Sequence, residues 1–559
     1  MRIVSYNVNG LRARLSPARS LRAFLDSLDA DIICLQETKI RRQELTADIA
    51  TPQGYESFIS CTRTVKKGRL GYSGVATFCK VECGNNVALP VAAEEGFTGL
   101  LTSARAGEGD KEFWLGSYDP VLTVEGFTRQ ELLDLDNEGR CIVTDHGHFV
   151  LFNIYGPNVG CGDAERQDFK LNFYKVLQCR LESILKQGRR IIIVGDLNIS
   201  PYPIDSCDPG PEFDTSPSRQ WFRSLLVSEG GAFSDAFRVF HPERAEAYTC
   251  WSQASGAEEF NYGSRIDHVL IAGPCAGHCQ SPDGSHDNSS CDGFAKCGTD
   301  MCDILLEFKR AKLDTLPRWS GGRSLKLDGS DHAPVILQLK HLPSIPPHEA
   351  PQLAARFMPE LRGRQQSILS IFQKLNEKAT ANTEPDTSRN VSKPAFTQET
   401  GSRKLQRLSQ SRLTGFCYQR HESSDKMSCT EVAVHGQSSS LTDEIQQSPE
   451  SCDNNNLSKV AACGESASLM DMSDETPTES SQQSLEKSAA GWERLKSLMS
   501  RNLPLCKGHG EPCVVRTVKK AGPNLGRGFY VCARAKGPAS NPEARCDHFQ
   551  WSSSRTRKK

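Results

Sequence analysis

Residues 191–198 read Ile-Ile-Ile-Val-Gly-Asp-Leu-Asn, and the first 340 residues are best understood outward from them. Four aliphatic residues in a row predict a strand buried on both faces, which Gly195 ends by letting the chain turn where a side chain would clash. In an extended chain Asp196 and Asn198, two positions apart, project to the same side. A carboxylate beside an amide at the mouth of a sheet suits the handling of a water and a phosphate oxygen, since one accepts a proton and the other donates to charge. Taken alone, an Asp capping the next turn accounts for the stretch equally well. The rest of the chain decides between these readings.

Similar strand ends recur. Arg2-Ile-Val-Ser-Tyr-Asn7 predicts a short strand that delivers Asn7 and Asn9 to a turn at Gly10, and Asp31-Ile-Ile-Cys-Leu-Gln-Glu37 a second buried strand with a carboxylate at its end. Gly71 to Phe78 reads as a strand entered through a glycine turn, and Phe149 to Tyr155 as another leading into Gly-Pro-Asn158. Apolar Phe169, Phe173, Leu177, Leu181 and Leu185 recur every four residues and predict a helix from about Asp163 to Lys186. Ser264 to Ile271 carries Asp267 on a strand, and Asp331 and His332 just precede a last one. Unrelated surface residues are not expected to repeat this placement on five strands. Strands separated by helices and hairpins predict sheets packed together with helices outside, a layered α/β arrangement.

With 559 residues the chain exceeds one ordinary core, so two or more folded parts with linkers are expected. Its net charge of −1 conceals an uneven distribution. Residues 501–559 hold thirteen Lys and Arg against three Asp and Glu, a local balance of +10 that seeks polyanions, nucleic acid first. The opening residues read as a strand, so no secretory signal is expected, and no stretch approaches the length of a membrane span. The 22 cysteines are then expected as reduced thiols and metal ligands in a nuclear or cytosolic protein.

Residues 274–303, rich in Gly, Ser, Asp and Cys, predict a mobile surface insertion in the domain spanning 1–342. Zinc binding by Cys275, His278, Cys279, Cys291, Cys297 and Cys302 is the alternative, although their spacing matches no defensible pattern. From 343 to 500 the composition shifts to Ser, Gln, Glu, Thr and Asn without sustained periodicity, which predicts a disordered linker. Near its end, Trp492 to Met499 looks like a short amphipathic helix.

Ser5-Tyr-Asn-Val-Asn-Gly-Leu11, Leu35-Gln-Glu-Thr-Lys39, Gly71-Tyr-Ser-Gly-Val-Ala76, Tyr155-Gly-Pro-Asn158, Gly195-Asp-Leu-Asn198, Arg265-Ile-Asp267 and Ser330-Asp-His332 occur in an order that resembles the exonuclease III and AP endonuclease branch of the endonuclease, exonuclease and phosphatase superfamily. The resemblance implies a four-layered α/β sandwich of the DNase I-like kind, with one active site where strand ends meet. It implies magnesium, with manganese as a substitute, held by Glu37 with Asn9, Asp196, Asn198 and Asp331. Asp196 would activate or orient the attacking water and Asn198 hold it, His332 paired with Asp267 would stabilise developing charge, and Tyr155, Asn7 and Asn158 would complete the donors around the phosphate. The residue types suit these roles, because magnesium prefers one or two hard carboxylates and an adjacent carboxylate keeps an imidazole cationic.

Two departures matter. Asn9 stands where the major AP endonucleases commonly have Asp, leaving one fewer carboxylate. Cys250 and Ser264 stand where two bulky apolar residues line the pocket for a flipped abasic sugar, and lost apolar contact should weaken that grip. The expectation is a DNA repair nuclease with 3′→5′ exonuclease and 3′-phosphodiesterase activity and weaker AP endonuclease activity, serving base excision repair and the DNA damage response. A non-catalytic DNA-damage scaffold and a lipid or inositol phosphoesterase are the rivals. Glu37, Asp196, Asp267 and His332 argue against the first, and the basic C-terminus against the second.

That C-terminus carries Cys506-Lys-Gly-His509, Cys532 and Cys546, a three-Cys, one-His set suited to tetrahedral structural zinc, with Cys513 as the competing thiol. It resembles the GRF-type zinc finger, whose signature stands here as Gly526, Arg527 and Phe529, and in which the position of Cys513 is not a ligand. In so small a unit zinc would supply the folding energy a core cannot. Arg516, Lys519, Lys520, Arg527 and Arg534, interleaved with aromatics such as Phe529, suit single-stranded DNA, with a solvated basic face as the alternative. Within 365–372, Gln365, Ile368, Ile371 and Phe372 resemble a PCNA-interacting peptide, and the register from Gln366 with Leu369 and Phe372 fits nearly as well. These features imply a monomer without membrane contact, recruited to DNA by a sliding clamp, in the nucleus with cytoplasm and mitochondria as further compartments.

Overall fold

The computed structural model describes residues 1–15, 20–64, 71–81, 84–103, 124–160, 163–275, 293–310, 329–358, 361, 503–519 and 522–552. Strand Ile191–Asp196 is fully buried in a six-stranded sheet, and its alternate side chains enter different cores. Ile192 and Val194 face a second six-stranded sheet, while Ile191 and Ile193 pack beneath helix Ala164–Lys186 with Phe173, Leu177 and Leu181. The other sheet divides likewise: Ile3, Ile32 and Cys34 point into the space between the sheets, whereas Val4, Ile33 and Leu35 meet Phe24 and Leu25 of helix Leu21–Asp26. Three cores therefore separate four layers, helix, sheet, sheet and helix, as the resemblance implied. Burial on both faces is why these strands are unbroken aliphatic runs rather than alternating ones.

Strand direction gathers the polar ends. One sheet runs Thr299–Ile304, Val335–Leu339, Arg2–Asn7, Ile32–Gln36, Val75–Lys80, Tyr55–Ser60, and the other Ala92–Glu95, Cys141–Asp145, Val150–Tyr155, Ile191–Asp196, Asp267–Ala272, Ser234–Asp235. Arg2–Asn7 is parallel to Ile32–Gln36, and Val150–Tyr155 to Ile191–Asp196, and the bond from Asn7 to Asp196 brings the C-terminal ends of both pairs to one edge. Their antiparallel neighbours bring N-terminal ends to the same edge: Asp267 pairs with Asp196, and Val335 with Ser5. A buried polar bridge ties the sheets together just inside that edge. Gln36 Nε2 donates to Asn153 Oδ1 (2.8 Å), and Asn153 Nδ2 donates to the Ala76 carbonyl (3.0 Å).

Helix Ala164–Lys186 begins at the predicted place because the Asp163 side chain accepts from the Arg166 amide (3.0 Å), satisfying an orphan donor. A strict four-residue spacing drifts around a helix of 3.6 residues per turn. Phe169 and Leu185, at the ends of the predicted stripe, are accordingly only partly buried, and Lys170, Tyr174, Val176, Arg180 and Ile184 complete the inner face.

Two boundaries differ from expectation. The predicted mobile insertion instead holds helix Phe294–Cys297, with Phe294 and Cys297 buried, and all but the last residue of edge strand Thr299–Ile304, with Cys302 buried. The Ser and Gly content of the preceding stretch masked these short apolar patterns; residues 276–292 lie outside the described residues. The expected linker also starts late. Ala350, Ala354, Ala355, Met358 and Leu361 are buried in the sandwich cores, and Arg356 pairs with Glu56 at 3.1 Å, so the folded chain continues to Leu361. Prolines at 343, 346, 347 and 351 prevent any helical or strand period there, which is why the sequence looked unstructured. No helix among the described residues is long and apolar enough to cross a membrane.

Candidate active site

Asn7, at the end of its strand, donates one amide hydrogen to Asp196 Oδ2 (2.9 Å) and the other to Glu37 Oε1 (3.1 Å). Its Oδ1 accepts from the Asn9 amide at 3.0 Å. With both hydrogens committed and the residue fully buried, Asn7 orients two carboxylates from different sheets, which replaces the phosphate-binding role expected of it. Asn9 donates to Asp331 Oδ1 (2.8 Å), and Lys39 reaches both Asn9 Oδ1 and Glu37 Oε2, the latter at 3.0 Å.

His332 Nδ1 bonds Asp267 Oδ2 at 2.8 Å, with both residues buried. Burial opposes the charged ring, but the Asp267 carboxylate overcomes it and holds the imidazole well above its usual titration range. The strand's register is pinned from both sides: Asp267 N donates to Thr249 Oγ1 (3.1 Å), and Ser330 Oγ donates to the Asn7 carbonyl (2.6 Å) while accepting from the His332 amide (3.2 Å).

Asp196 and Asn198 do meet, although not through an extended chain. Asn198 turns left-handed (φ 51°), so that its amide donates to Asp196 Oδ1 (2.8 Å) and its Nδ2 to Asp196 Oδ2 (3.2 Å) and the Gly156 carbonyl (3.1 Å). Asn9 (φ 44°), Glu37 (φ 50°) and Lys39 (φ 52°) adopt the same conformation. Four non-glycine residues in this region store on the order of 1 kcal/mol or more each, strain of the kind that collects where side chains must be aimed. Gly195 also has a different reason from the predicted one. The strand continues through it, and a Cβ there would lie 1.9 Å from the Ile154 carbonyl oxygen of the parallel neighbour.

The ligand atoms of Glu37, Asp196 and His332 all lie within 4.8 Å of one another. Burial pushes the Asp196 carboxyl up to about 7, helped by the charges of Asp267 and Glu37 and opposed by His332. For Glu37 burial is outweighed by Lys39, His332 and the Asn7 bond, so that carboxyl is held below its usual range. Crowded hard carboxylates, together with an Asp267 Oδ1 that has no hydrogen-bond partner, are a donor set that fits a divalent cation. A protonated His332 would donate to a phosphate oxygen rather than coordinate that ion.

Tyr155 is buried with its hydroxyl bonded to Glu37, and burial keeps it neutral and a donor. The Arg140 guanidinium lies 4.6 Å over its ring and donates to the carbonyls of Tyr155 (3.0 Å) and Gly156 (3.2 Å). Direct hydrogen bonds link Asn7, Asn9, Glu37, Tyr155, Asp196, Asn198 and Asp331, while Asp267 and His332 join through the facing strands. Asn158 stands apart, exposed on the following loop, where its carbonyl accepts from Arg166 Nε (3.3 Å). Sequence reasoning missed Lys39, Arg140, Thr249, Ser330 and Lys170, whose buried ammonium donates to the Asn198 carbonyl at 2.7 Å. Lys39 and Ser330 lay within the quoted motifs, but Lys170 offered only a helix position beside an apolar stripe.

Cys250 and Ser264, the two small residues at the expected pocket positions, pair across a two-stranded ladder, and Cys250 bridges to His332. Burial raises the Cys250 thiol to about 12, so it stays neutral beside the imidazole.

In the C-terminal unit, Cys506, His509, Cys532 and Cys546 bring their ligand atoms within 4.8 Å of one another. His509 Nδ1 faces Cys506 Sγ (3.5 Å) and Cys532 Sγ (3.4 Å), while Nε2 bonds the Pro542 carbonyl (3.0 Å), which leaves Nδ1 unprotonated for a metal. Strands Val514–Thr517, Gly528–Val531 and Phe549–Trp551 form the sheet beside it. On that sheet Phe529 stacks on Phe549 at 5.2 Å, Trp551 meets both edge-on, and Arg527 covers the Trp551 ring at 4.0 Å. Arg534 does not join this surface. Its guanidinium binds both Glu511 oxygens (3.0 and 2.6 Å) and the Pro542 carbonyl, a structural use. Lys519 is exposed; Lys520, the expected clamp peptide and the helix at 492–499 lie outside the described residues.

The chain matches the endonuclease/exonuclease/phosphatase family over residues 4–332 and the GRF zinc finger over residues 504–555. It is 35% identical to the DNA-(apurinic or apyrimidinic site) endonuclease 2 of Xenopus laevis, over 99% of this chain and 98% of that protein. The protein of the same name from Homo sapiens is 34% identical over 99% of each chain. An exodeoxyribonuclease of Bacillus subtilis is 31% identical over 49% of this chain and 88% of its own. The crystal structure of the Xenopus laevis APE2 catalytic domain has a TM-score of 0.50 and 36% identity, covering 66% of this chain and 100% of that one. With its strand-end carboxylates, paired imidazole and zinc-type cluster, the chain belongs to the endonuclease/exonuclease/phosphatase family, as a DNA-cleaving repair hydrolase of the apurinic or apyrimidinic endonuclease 2 group.

Proposed function

We propose that the protein is a magnesium-dependent 3′→5′ exonuclease and 3′-phosphodiesterase with weaker cleavage at internal abasic sites, acting in base excision repair and the DNA damage response. The observation that carries this reading is the convergence of Glu37, Asp196 and His332 within 4.8 Å. Asp196, raised toward neutrality, accepts a proton from the attacking water, and Asn198, whose Nδ2 hydrogens go to Asp196 and the Gly156 carbonyl, holds that water through Oδ1. His332, kept cationic by Asp267, donates to a non-bridging oxygen on the pentacovalent phosphorus, while the neutral Tyr155 hydroxyl, whose hydrogen goes to Glu37, holds that carboxylate in place. Asn158, on the exposed loop, binds the neighbouring phosphate. Glu37 and Asp196, with Asn9, Asn198 and Asp331, would hold magnesium, manganese substituting, and a divalent ion held there would supply positive charge for the scissile phosphate and the departing 3′ oxygen.

The small Cys250 and Ser264 support weak grip on an extrahelical sugar. The Phe529, Phe549 and Trp551 surface with Arg527 and Arg516 supports single-strand binding by the zinc-loaded finger. Gln365 to Phe372 would recruit a sliding clamp to this monomeric, nuclear protein. Comparing wild type and Asp196→Ala on recessed 3′ ends, blocked 3′ ends and abasic duplex, with magnesium or manganese, tests the reading. Wild type should trim 3′ ends faster than it nicks abasic sites, and the variant should do neither. Abasic nicking that far outpaces trimming would overturn the order of activities.

A further inference from the structure

Among the described residues, the zinc finger touches the nuclease domain through the segment Ala535 to Pro538. Ala535 to Pro538 follow the zinc ligand Cys532 in a turn held by the Arg545 amide, which donates to the Ala535 carbonyl at 2.8 Å. From this turn the Lys536 amide donates to the Ser255 carbonyl at 2.9 Å, and the Lys536 ammonium lies 5.1 Å from the centre of the Tyr262 ring. Asp208 and Cys207 stand near the same ammonium, which burial makes easier to deprotonate. Gly537 sits so close to Phe260 that a Cβ would fall 2.7–2.9 Å from three of its atoms. Ser255 is buried, as is Ala535 on the finger's side.

The receiving loop is built for rigidity and borders the reaction centre. It lies between Cys250–Trp251 and Gly263–Ser264, which pair with each other, and Cys250 bridges to His332 while the Trp251 amide donates to the Asp331 carbonyl at 2.9 Å. Asn261, left-handed at φ 48°, accepts from Trp251 Nε1 (3.0 Å) and Lys309 Nζ (3.1 Å), and the Cys207 amide donates to the Gly263 carbonyl (3.0 Å). A displacement of this loop would therefore be resisted by the strands that flank His332.

We propose that the finger is docked, not merely tethered, and that the Lys536–Gly537 turn seated on Ser255, Phe260 and Tyr262 makes its aromatic surface a fixed extension of the active-site edge, delivering single-stranded DNA to the nuclease. This rests on the single-strand reading of the finger given above. Docking replaces a search by the tethered finger with a set geometry, so it raises the local supply of strand to the site without altering either site's own chemistry.

Two full-length variants test it. Gly537→Leu collides with Phe260, and Lys536→Glu places a carboxylate beside Asp208, with Lys536→Glu/Asp208→Lys as the charge-swapped rescue. The docking readout, independent of DNA, is maleimide labelling of Cys207 followed by peptide mass spectrometry. Labelling should rise on the order of tenfold in both single variants and fall back in the rescue. Affinity for a single strand should stay within about twofold of wild type, and trimming of fully paired short duplex should be unchanged, showing that both folded parts remain intact. Trimming of a 3′ end flanked by single-stranded DNA should fall several-fold. Cys207 labelling equal to wild type in both variants overturns docking, and increased labelling with unimpaired trimming of flanked ends overturns the delivery role. If wild type itself binds no single strand, the earlier reading of the finger fails while the labelling result still reports on docking.

Discussion

Asn7 Nδ2 donates to Asp196 Oδ2 over 2.9 Å, joining the two sheets at the point where the strand ends meet, between residues 189 apart in sequence. The same amide reaches Glu37, so one side chain sets the spacing of the two carboxylates. Asn7→Ala should leave both without their shared donor and lower kcat for 3′ trimming by about 10²–10³, the usual effect of losing one preorganised donor. Asn7→Asp should be worse, since it adds a negative charge between two others. Single-turnover rates at saturating magnesium check this; a loss confined to KM would contradict the orienting role.

A second prediction concerns Glu138, which is buried and binds Arg140 Nε (2.6 Å) and Arg166 Nη1 (2.6 Å). Through Arg140 it fixes the carbonyls of Tyr155 and Gly156. Burial alone would raise the Glu138 carboxyl, but the two guanidinium groups hold it down to about 2. A carboxylate depressed in the folded state stabilises the protein above its unfolded titration near 4.5, and that contribution is lost as pH falls toward 2. Glu138→Gln should cost about 3–5 kcal/mol at neutral pH, because it strands the buried Arg140 cation and removes the partner of the half-buried Arg166. Denaturation midpoints between pH 5 and 2, expected to slope in wild type more than in the variant on the order of one titrating group, provide the check.

The cross-sheet bond from Gln36 to Asn153 leads to a third. Asn153 also donates to the Ala76 carbonyl and to Thr77 Oγ1 (3.2 Å), in a space with no access to water. Asn153→Leu should destabilise the domain by about 2–3 kcal/mol, because the Ala76 carbonyl and Thr77 Oγ1 lose a buried donor, while Gln36 Nε2 keeps Ser5 Oγ (3.1 Å) and the Cys34 carbonyl (3.1 Å) but loses its bond across the sheets. Since Gln36 precedes Glu37 and Asn153 lies two residues before Tyr155, trimming activity should fall with it. Chemical denaturation beside kinetics at a temperature well below the transition separates the two effects.

The layered fold was legible because the central strands are buried on both faces and so announce themselves as aliphatic runs, Ile191 to Val194 above all. The residue types at strand ends were legible for the same reason, since polar groups that follow such runs stand out. What was hidden was conformation. Nothing in Asp-Leu-Asn198 or Gln-Glu37 shows a left-handed turn, yet the turns at Asn9, Glu37 and Asn198 aim these side chains at one another. Long-range partners were hidden as well: Lys170, on a helix, meets Asn198 through the fold alone. The packed segment from Pro343 to Leu361 escaped because it buries small residues without regular periodicity.

The zinc cluster offers a final prediction, because two arrangements of thiols compete in the sequence. Cys513 is buried and packs against Cys506 and Cys532, whereas Cys546 is more exposed. Ligand geometry favours Cys546: Gly508 lies so near it that a Cβ would approach its Sγ to 2.9 Å, and this closeness folds the Cys506–His509 turn over the fourth ligand. Burial pushes the Cys513 thiol up, which disfavours the thiolate a metal requires. Cys513→Ala should therefore retain one zinc per chain on the basis of a four-ligand site. Cys506→Ala, Cys532→Ala and Cys546→Ala should each lose it, together with single-strand affinity, while trimming of a fully paired 3′ end persists because the nuclease sheets hold no part of the cluster. Zinc content by elemental analysis, read beside binding at low salt, settles the assignment: zinc lost from Cys513→Ala and kept in Cys546→Ala would exchange the two roles.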